Sequence, residues 1–301
     1  MRAALPAALL LAAAVASALP QDPAAPPVFV EGVPPRSGLR ALLLTETLRA
    51  HDDARAWFGR SLEGPVTVAW TTEPEDFRRR AGVEAGPIAG VAHPARGEVV
   101  LYAPALMSRP DRIVSVLRHE VWHLVFARAT AGAAVEPPRW LDEGIATWRS
   151  GEWDLDLELR RDRAAWLRDA AAAGRLFALD DLDGRFPDGA LLPLAYAQSA
   201  SFVEWLAARG GEEKLVAVLR ELDRDVDPAP AFAAVYGTGL AELEGAWRAH
   251  VAPGGALGRL PSVATLSSLA GLVLGVLLIV GFVRKRRRLS RLSDAPPDTP
   301  G

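Results

Sequence analysis

The sequence predicts an α+β fold: a small sheet in the N-terminal part, a long helix at the join, a mostly helical C-terminal half, and one membrane-spanning helix near the C-terminus. Three observations predict it. Two short runs rich in β-branched residues, Pro65–Thr71 (PVTVAWT) and Glu98–Ala103 (EVVLYA), lie early in the chain with Gly and Pro nearby. Beyond them apolar residues recur at three- and four-residue spacing, as in Leu215, Val218, Leu219 and Leu222, or Leu240, Leu243 and Trp247. From Val263 to Val283 no residue carries a charge. At 1.5 Å per residue that segment extends about 32 Å, enough for a hydrocarbon core of about 30 Å.

In chain order, Arg2, the apolar stretch Ala3–Val15 and the small-x-small triplet Ala16-Ser17-Ala18 have the pattern of a signal peptide, residues 1–18. Residues 19–38 are rich in proline and lack periodic apolar spacing, which predicts an extended leader without chemistry. The spacing over Leu39–Phe58 predicts a helix, and Glu73–Arg80 a short one between the two strands. A strongly helical segment runs from about Ser108 to Ala129. One domain is therefore expected over 39–251, followed by a Pro/Gly stalk at 252–262 and the membrane helix at 263–283. The tail, 284–301, opens with Arg-Lys-Arg-Arg-Arg, which the positive-inside rule keeps in the cytoplasm. The expected location is the cell membrane, single-pass, with the domain outside the cytoplasm.

Composition removes several classes of function. At 50% hydrophobic and 24% charged residues the chain buries a core, so wholesale disorder is excluded. It has no cysteine, hence no disulfide, thiolate ligand or cysteine nucleophile, and a bound metal must rely on imidazole and carboxylate. The formal charge of −3 includes a strongly basic tail, so the body is more acidic than the total suggests. An acidic body argues against nucleic acid as a partner.

The chemistry is concentrated in His119-Glu120-Val121-Trp122-His123, an HExxH pattern on the predicted helix. Histidines at i and i+4 share a helix face with Cβ atoms about 6 Å apart, close enough for both imidazoles to reach one zinc ion. Glu120 can lean toward the reacting water without ligating the metal. Ile113, Val114, Leu117, Val121, Leu124 and Val125 predict a wide apolar face opposite the histidines. A catalytic zinc site needs a third protein ligand and one open position. Trp140-Leu141-Asp142-Glu143-Gly144-Ile145-Ala146 offers two carboxylates, and neighbouring helical positions point about 100° apart, so one of them faces the metal.

This pair of motifs, HExxH followed by WLxEGxA, resembles the gluzincin metallopeptidases of the peptidase MA-like group. The resemblance covers most of residues 60–251, with its specific part confined to the two motifs. It implies a zincin-like fold, one Zn²⁺ held by His119, His123 and Glu143, and Glu120 as general base. Asp142 then stands beside the ligands or at the helix start, with Thr147 another neighbour of Glu143. Leu194–Val203 resembles the segment that brings a tyrosine to the cleft, which implies Tyr196 as hydrogen-bond donor to the developing oxyanion. The implied partner is a peptide or protein substrate.

One departure bears on substrate. Gluzincin aminopeptidases carry a GAMEN segment whose glutamate binds the substrate's free amino end, whereas the corresponding stretch here is Gly90-Val91-Ala92-His93-Pro94. Without that carboxylate, internal cleavage or a narrow substrate range is expected. His93 reads as a loop residue, and His51 and His250 as surface or interface residues. The strand Glu98–Ala103 is a candidate for pairing with an extended peptide. The alternative from another class is a non-catalytic, membrane-tethered zinc-containing scaffold, which would need four closed ligands and no base.

Overall fold

The computed structural model describes residues 25–254, apart from 60, 61, 63, 85–87, 152–162, 184, 185 and 188. The expected signal peptide (1–18) and membrane helix with its tail (263–301) lie outside the described residues. Among the described residues no helix is long and apolar enough to cross a membrane.

Four strands form one sheet: β1 (Val28–Glu31), β2 (Val66–Thr71), β3 (Gly90–His93) and β4 (Glu98–Tyr102), in the order β1-β2-β4-β3. The first three in that order run parallel, and β3 is antiparallel to β4. Helix α1 (Gly38–Phe58) makes the crossover from β1 to β2. It starts at Ser37, whose hydroxyl accepts from Arg40 N, and stops at Gly59, which takes the left-handed conformation at φ 70°. Helix α2 (Pro74–Ala81) follows β2 and lays Phe77 and Ala81 against Val100 on one sheet face. Val66, Val68, Val99 and Leu101 point to the other face and join the main core. This alternation puts a helix layer on each side.

Two strands and one ladder position differ from expectation. The supposed leader supplies β1, because Val28–Glu31 pairs in register with Val66–Ala69. Gly90–His93, too short and glycine-led to show a strand pattern, forms β3. His93 therefore ends a strand instead of sitting in a loop. With β3 outside it, β4 is an interior strand and has no free edge for an added peptide.

The expected long helix over Ser108–Ala129 is divided. Helix α3 (Ala103–Ser108) ends before Pro110, a single 3₁₀ turn spans Pro110–Arg112, and α4 (Ile113–Ala129) follows. The second half comprises α5 (Arg139–Ser150), α6 (Arg163–Ala172), α7 (Leu192–Gly210), α8 (Glu212–Asp223), α9 (Pro228–Tyr236) and α10 (Leu240–Val251). Helix α4 is buried on nearly all sides, not on one face as its apolar spacing suggested; Val116, Trp122 and Phe126 are buried along with Leu117, Val121 and Leu124. It touches α1, β3 and α5, and so forms the axis of the molecule. Arg118 Nε reaches the buried Glu46 carboxylate at 3.1 Å, which ties α4 to α1. His51 is also buried on α1, beside Asp52 at 3.3 Å, and is not a surface residue.

Helix α5 packs closely against α7. A Cβ on Gly144 would stand 2.7 Å from both Ser199 O and Val203 Cγ2, so glycine is what permits this approach. Near the other end of α5, the Arg149 guanidinium lies 5.1–5.4 Å from the rings of Trp57, Trp122 and Trp148 and pairs with Glu212 at 3.1 Å. These contacts connect α1, α4, α5 and α8. They fix the two helices that carry the candidate ligands.

Candidate metal centre

One turn of α4 separates His119 from His123, and their rings meet edge-on with centroids 4.7 Å apart. The two Nε2 atoms face each other at 3.0 Å. Glu143, in the second turn of α5, brings Oε2 to 3.4 Å from each of them. This Oε2 is buried and accepts no hydrogen bond. Three donor atoms thus converge from two helices. Ligands each about 2.0–2.1 Å from one tetrahedral zinc stand about 3.3 Å apart, so the observed triangle fits such an ion. Among the described residues this is the one group of three or more His, Asp or Glu side chains so arranged.

The neighbouring side chains orient the donors. Asp142 Oδ1 lies 2.8 Å from His123 Nδ1, so an Nδ1–H donating to it leaves the Nε2 lone pair directed at the cluster. Of the two adjacent carboxylates, Glu143 faces the histidines and Asp142 holds one of them in place. Arg139, one turn before Glu143, extends Nε and Nη2 toward Glu143 Oε1 at 3.4 and 3.5 Å. Glu143 therefore presents one oxygen inward and the other to a guanidinium. Thr147 contributes nothing comparable: its hydroxyl is buried and has no hydrogen-bond partner.

The electrostatics follow from this crowding. Burial opposes the charged imidazolium of His123, but the Asp142 and Glu143 carboxylates outweigh it and raise its pKa well above 6.5. Burial likewise opposes ionisation of Glu143, and is outweighed by His123 and His119, which hold that carboxyl well below the usual carboxylate range. Both shifts favour the charged pair, an imidazolium at His123 beside an ionised Glu143. The imidazolium is the charge a divalent ion would replace.

Two further side chains define the surroundings. Glu120 is buried beside β3, where a Cβ on Gly90 would come within 2.8 Å of its Oε1. The Tyr196 ring, carried by α7, is edge-on to His119 with centroids 6.0 Å apart and leans on Phe186 at 5.3 Å. Phe186 in turn lies beneath the Arg139 guanidinium at 4.9 Å. The sequence singled out His119, Glu120, His123, Glu143 and Tyr196; the fold gathers His119, His123 and Glu143 into the triangle, sets the Tyr196 ring against His119, and buries Glu120, next to His119 in sequence, against β3. It did not single out Arg139 or Phe186, and it named Gly90 only as the start of the stretch that corresponds to the GAMEN segment. For Arg139 the signal was available, since it stands four residues before Glu143 on the same helix face. For Phe186 there was none, and what Gly90 adds, its closeness to Glu120, depends on how the sheet meets α4.

A comparison with curated proteins finds no match. A family model described as the Peptidase MA superfamily matches residues 54–253, which include α4, α5 and α7 and all five of these side chains. The chain belongs to the Peptidase MA superfamily.

Proposed function

We propose that the protein is a membrane-anchored, extracytoplasmic zinc metallopeptidase of the gluzincin type. Membership of the Peptidase MA superfamily supports a peptidase-like hydrolase. The observation that carries the finer reading is the triangle of His119, His123 and Glu143, with sides of 3.0, 3.4 and 3.4 Å, and a buried glutamate next to it in sequence.

His119, His123 and Glu143 would hold a divalent ion, which would supply Lewis acidity for the scissile carbonyl and for water. Glu120, adjacent to a ligand but outside the ligand triangle, takes the proton from the attacking water and passes it to the leaving amine. Tyr196 donates its phenolic hydrogen to the carbonyl oxygen as negative charge develops there. Asp142 fixes His123 in the tautomer that keeps Nε2 free to ligate. An extended substrate pairs as an added strand with β3, the terminal strand nearest α4. No carboxylate stands on Gly90–His93, so this strand offers no counter-charge to a free α-amino group, and cleavage within chains is favoured over aminopeptidase action.

The scaffold alternative calls for a closed set of four ligands. Asp142, the carboxylate beside Glu143 in sequence, is turned to His123 Nδ1 instead. The deciding experiment is Glu120→Gln in the full-length chain, with metal content and hydrolysis of a peptide library measured side by side. Zinc stays stoichiometric and hydrolysis falls about 10²- to 10⁴-fold. An unchanged rate rejects the role of Glu120, and a wild-type chain that binds zinc but cleaves nothing favours the scaffold.

A further inference from the structure

We infer that Gly90 is a positioning residue for the general base: the missing side chain on β3 is the space that Glu120 occupies. The inference rests on the reading of Glu120 as base, but its geometry is independent of any hydrolysis.

Glycine inside a strand weakens it and marks a close approach of another group. At Gly90 the backbone gives no reason for glycine, because its φ is not in the left-handed region. Space does. A Cβ built there would stand 2.8 Å from Glu120 Oε1, 2.9 Å from Glu120 Cγ and 3.0 Å from Val116 Cγ1. Ordinary contact begins near 3.4 Å. Two of the three closest atoms thus belong to the carboxylate arm of one residue, the one next to His119. Val91, pointing the other way, packs with Phe77, Ala81 and Val100, so β3 is fixed from behind. On the near side α4 is held by Arg118 on Glu46 and by the aromatic contacts of Trp122. With both elements held, an added methyl group at position 90 is relieved most easily by the Glu120 side chain, which rotates out of its place.

The same contact determines what may stand on this strand. The strand that would carry the substrate is then also the strand that sets where the proton acceptor lies.

The test is a double-mutant cycle in the full-length chain, using Gly90→Ala, Glu120→Ala and both together, with melting temperature, zinc stoichiometry and peptide hydrolysis as readouts. Gly90→Ala alone lowers the Tm by on the order of 5 °C. In the Glu120→Ala background, where Cγ and the carboxylate are gone, the same substitution lowers it by less than about 1 °C. An equal loss in both backgrounds overturns the inference, because it shows that the strand and not Glu120 is what the methyl group disturbs. If Gly90→Ala alone does not fold, recovery of folded, zinc-binding protein in the double variant supports the inference and failure to recover overturns it. In the hydrolysis assay Gly90→Ala retains zinc while kcat falls at least about 10²-fold. Retention of full kcat overturns the positioning role. A wild-type chain without hydrolysis defeats the peptidase reading alone, and the Tm cycle still decides whether Gly90 makes room for Glu120.

Discussion

Asp142 and Glu143 are chemically alike and adjacent, yet the fold gives them different tasks. Glu143 shares its inner oxygen between two imidazoles, while Asp142 anchors His123 from behind. Removing the anchor's charge without changing its shape, Asp142→Asn, is expected to weaken zinc binding about 10- to 100-fold, as measured by competition with a chromogenic chelator. The raised pKa of His123 gives a second expectation. His123 has a folded-state pKa raised above the unfolded value, so in metal-free protein its contribution to stability is complete below about pH 6.5 and is lost as pH rises through the raised value. Glu143 has a depressed folded-state value, so its contribution is present above the ordinary carboxyl range and is lost on strong acidification. Zinc competes with the His123 proton, so its affinity rises with pH over the window in which the metal-free protein loses this stabilisation. Melting curves with chelator and with excess zinc should therefore diverge progressively above pH 6.5. Parallel curves would show that no proton leaves His123 on binding.

The helices bear their function through how closely they approach. Gly144 follows the candidate ligand Glu143 and lies against Ser199 O, so Gly144→Ala forces α5 away from α7 and destabilises by about 1–3 kcal/mol in chemical denaturation. Because the displaced helix carries Glu143, zinc affinity should fall as well. Gly245 is the contrast. It lies inside α10 with nothing within 4 Å of an added Cβ, so Gly245→Ala should stabilise by about 0.5–1 kcal/mol and leave zinc affinity unchanged. The same difference between local and distant causes separates what could be read from the sequence from what could not. The periodicity of α1 and the β-branched runs of β2 and β4 are local, and all three elements form where the pattern placed them, within one or two residues. The i, i+4 geometry of the two histidines is local too. Strands β1 and β3 are four residues each and carry no alternation strong enough to see; they exist because β2 and β4 offer them edges. Selecting Glu143 over Asp142 required a family motif, since the rotation of α5 about its axis is set by Gly144 against α7. Pro110 divides the helix before the histidines, a break the sequence displayed and the apolar spacing obscured.

At the scale of the whole molecule, the candidate ligands come from α4, which is packed on the sheet, and α5, which is packed on the C-terminal helices. A cation shared by His119, His123 and Glu143 therefore links the two halves of the domain through the middle. Any ion that binds the folded state alone stabilises it by mass action, by about 4 kcal/mol when free zinc exceeds Kd a thousandfold. In a domain of this size each kcal/mol moves the Tm by roughly 2–4 °C, so saturating zinc is expected to raise the Tm by on the order of 10 °C. The increment should disappear in Glu143→Ala, because the carboxylate is the sole contribution of α5 to the triangle and without it the ion no longer connects the halves. Glu120→Gln should keep the increment in full, since that residue lies outside the triangle. Thermal melts of these two variants with and without zinc thus separate holding the metal from using it, and a zinc-induced rise surviving in Glu143→Ala would place the third donor elsewhere in the chain.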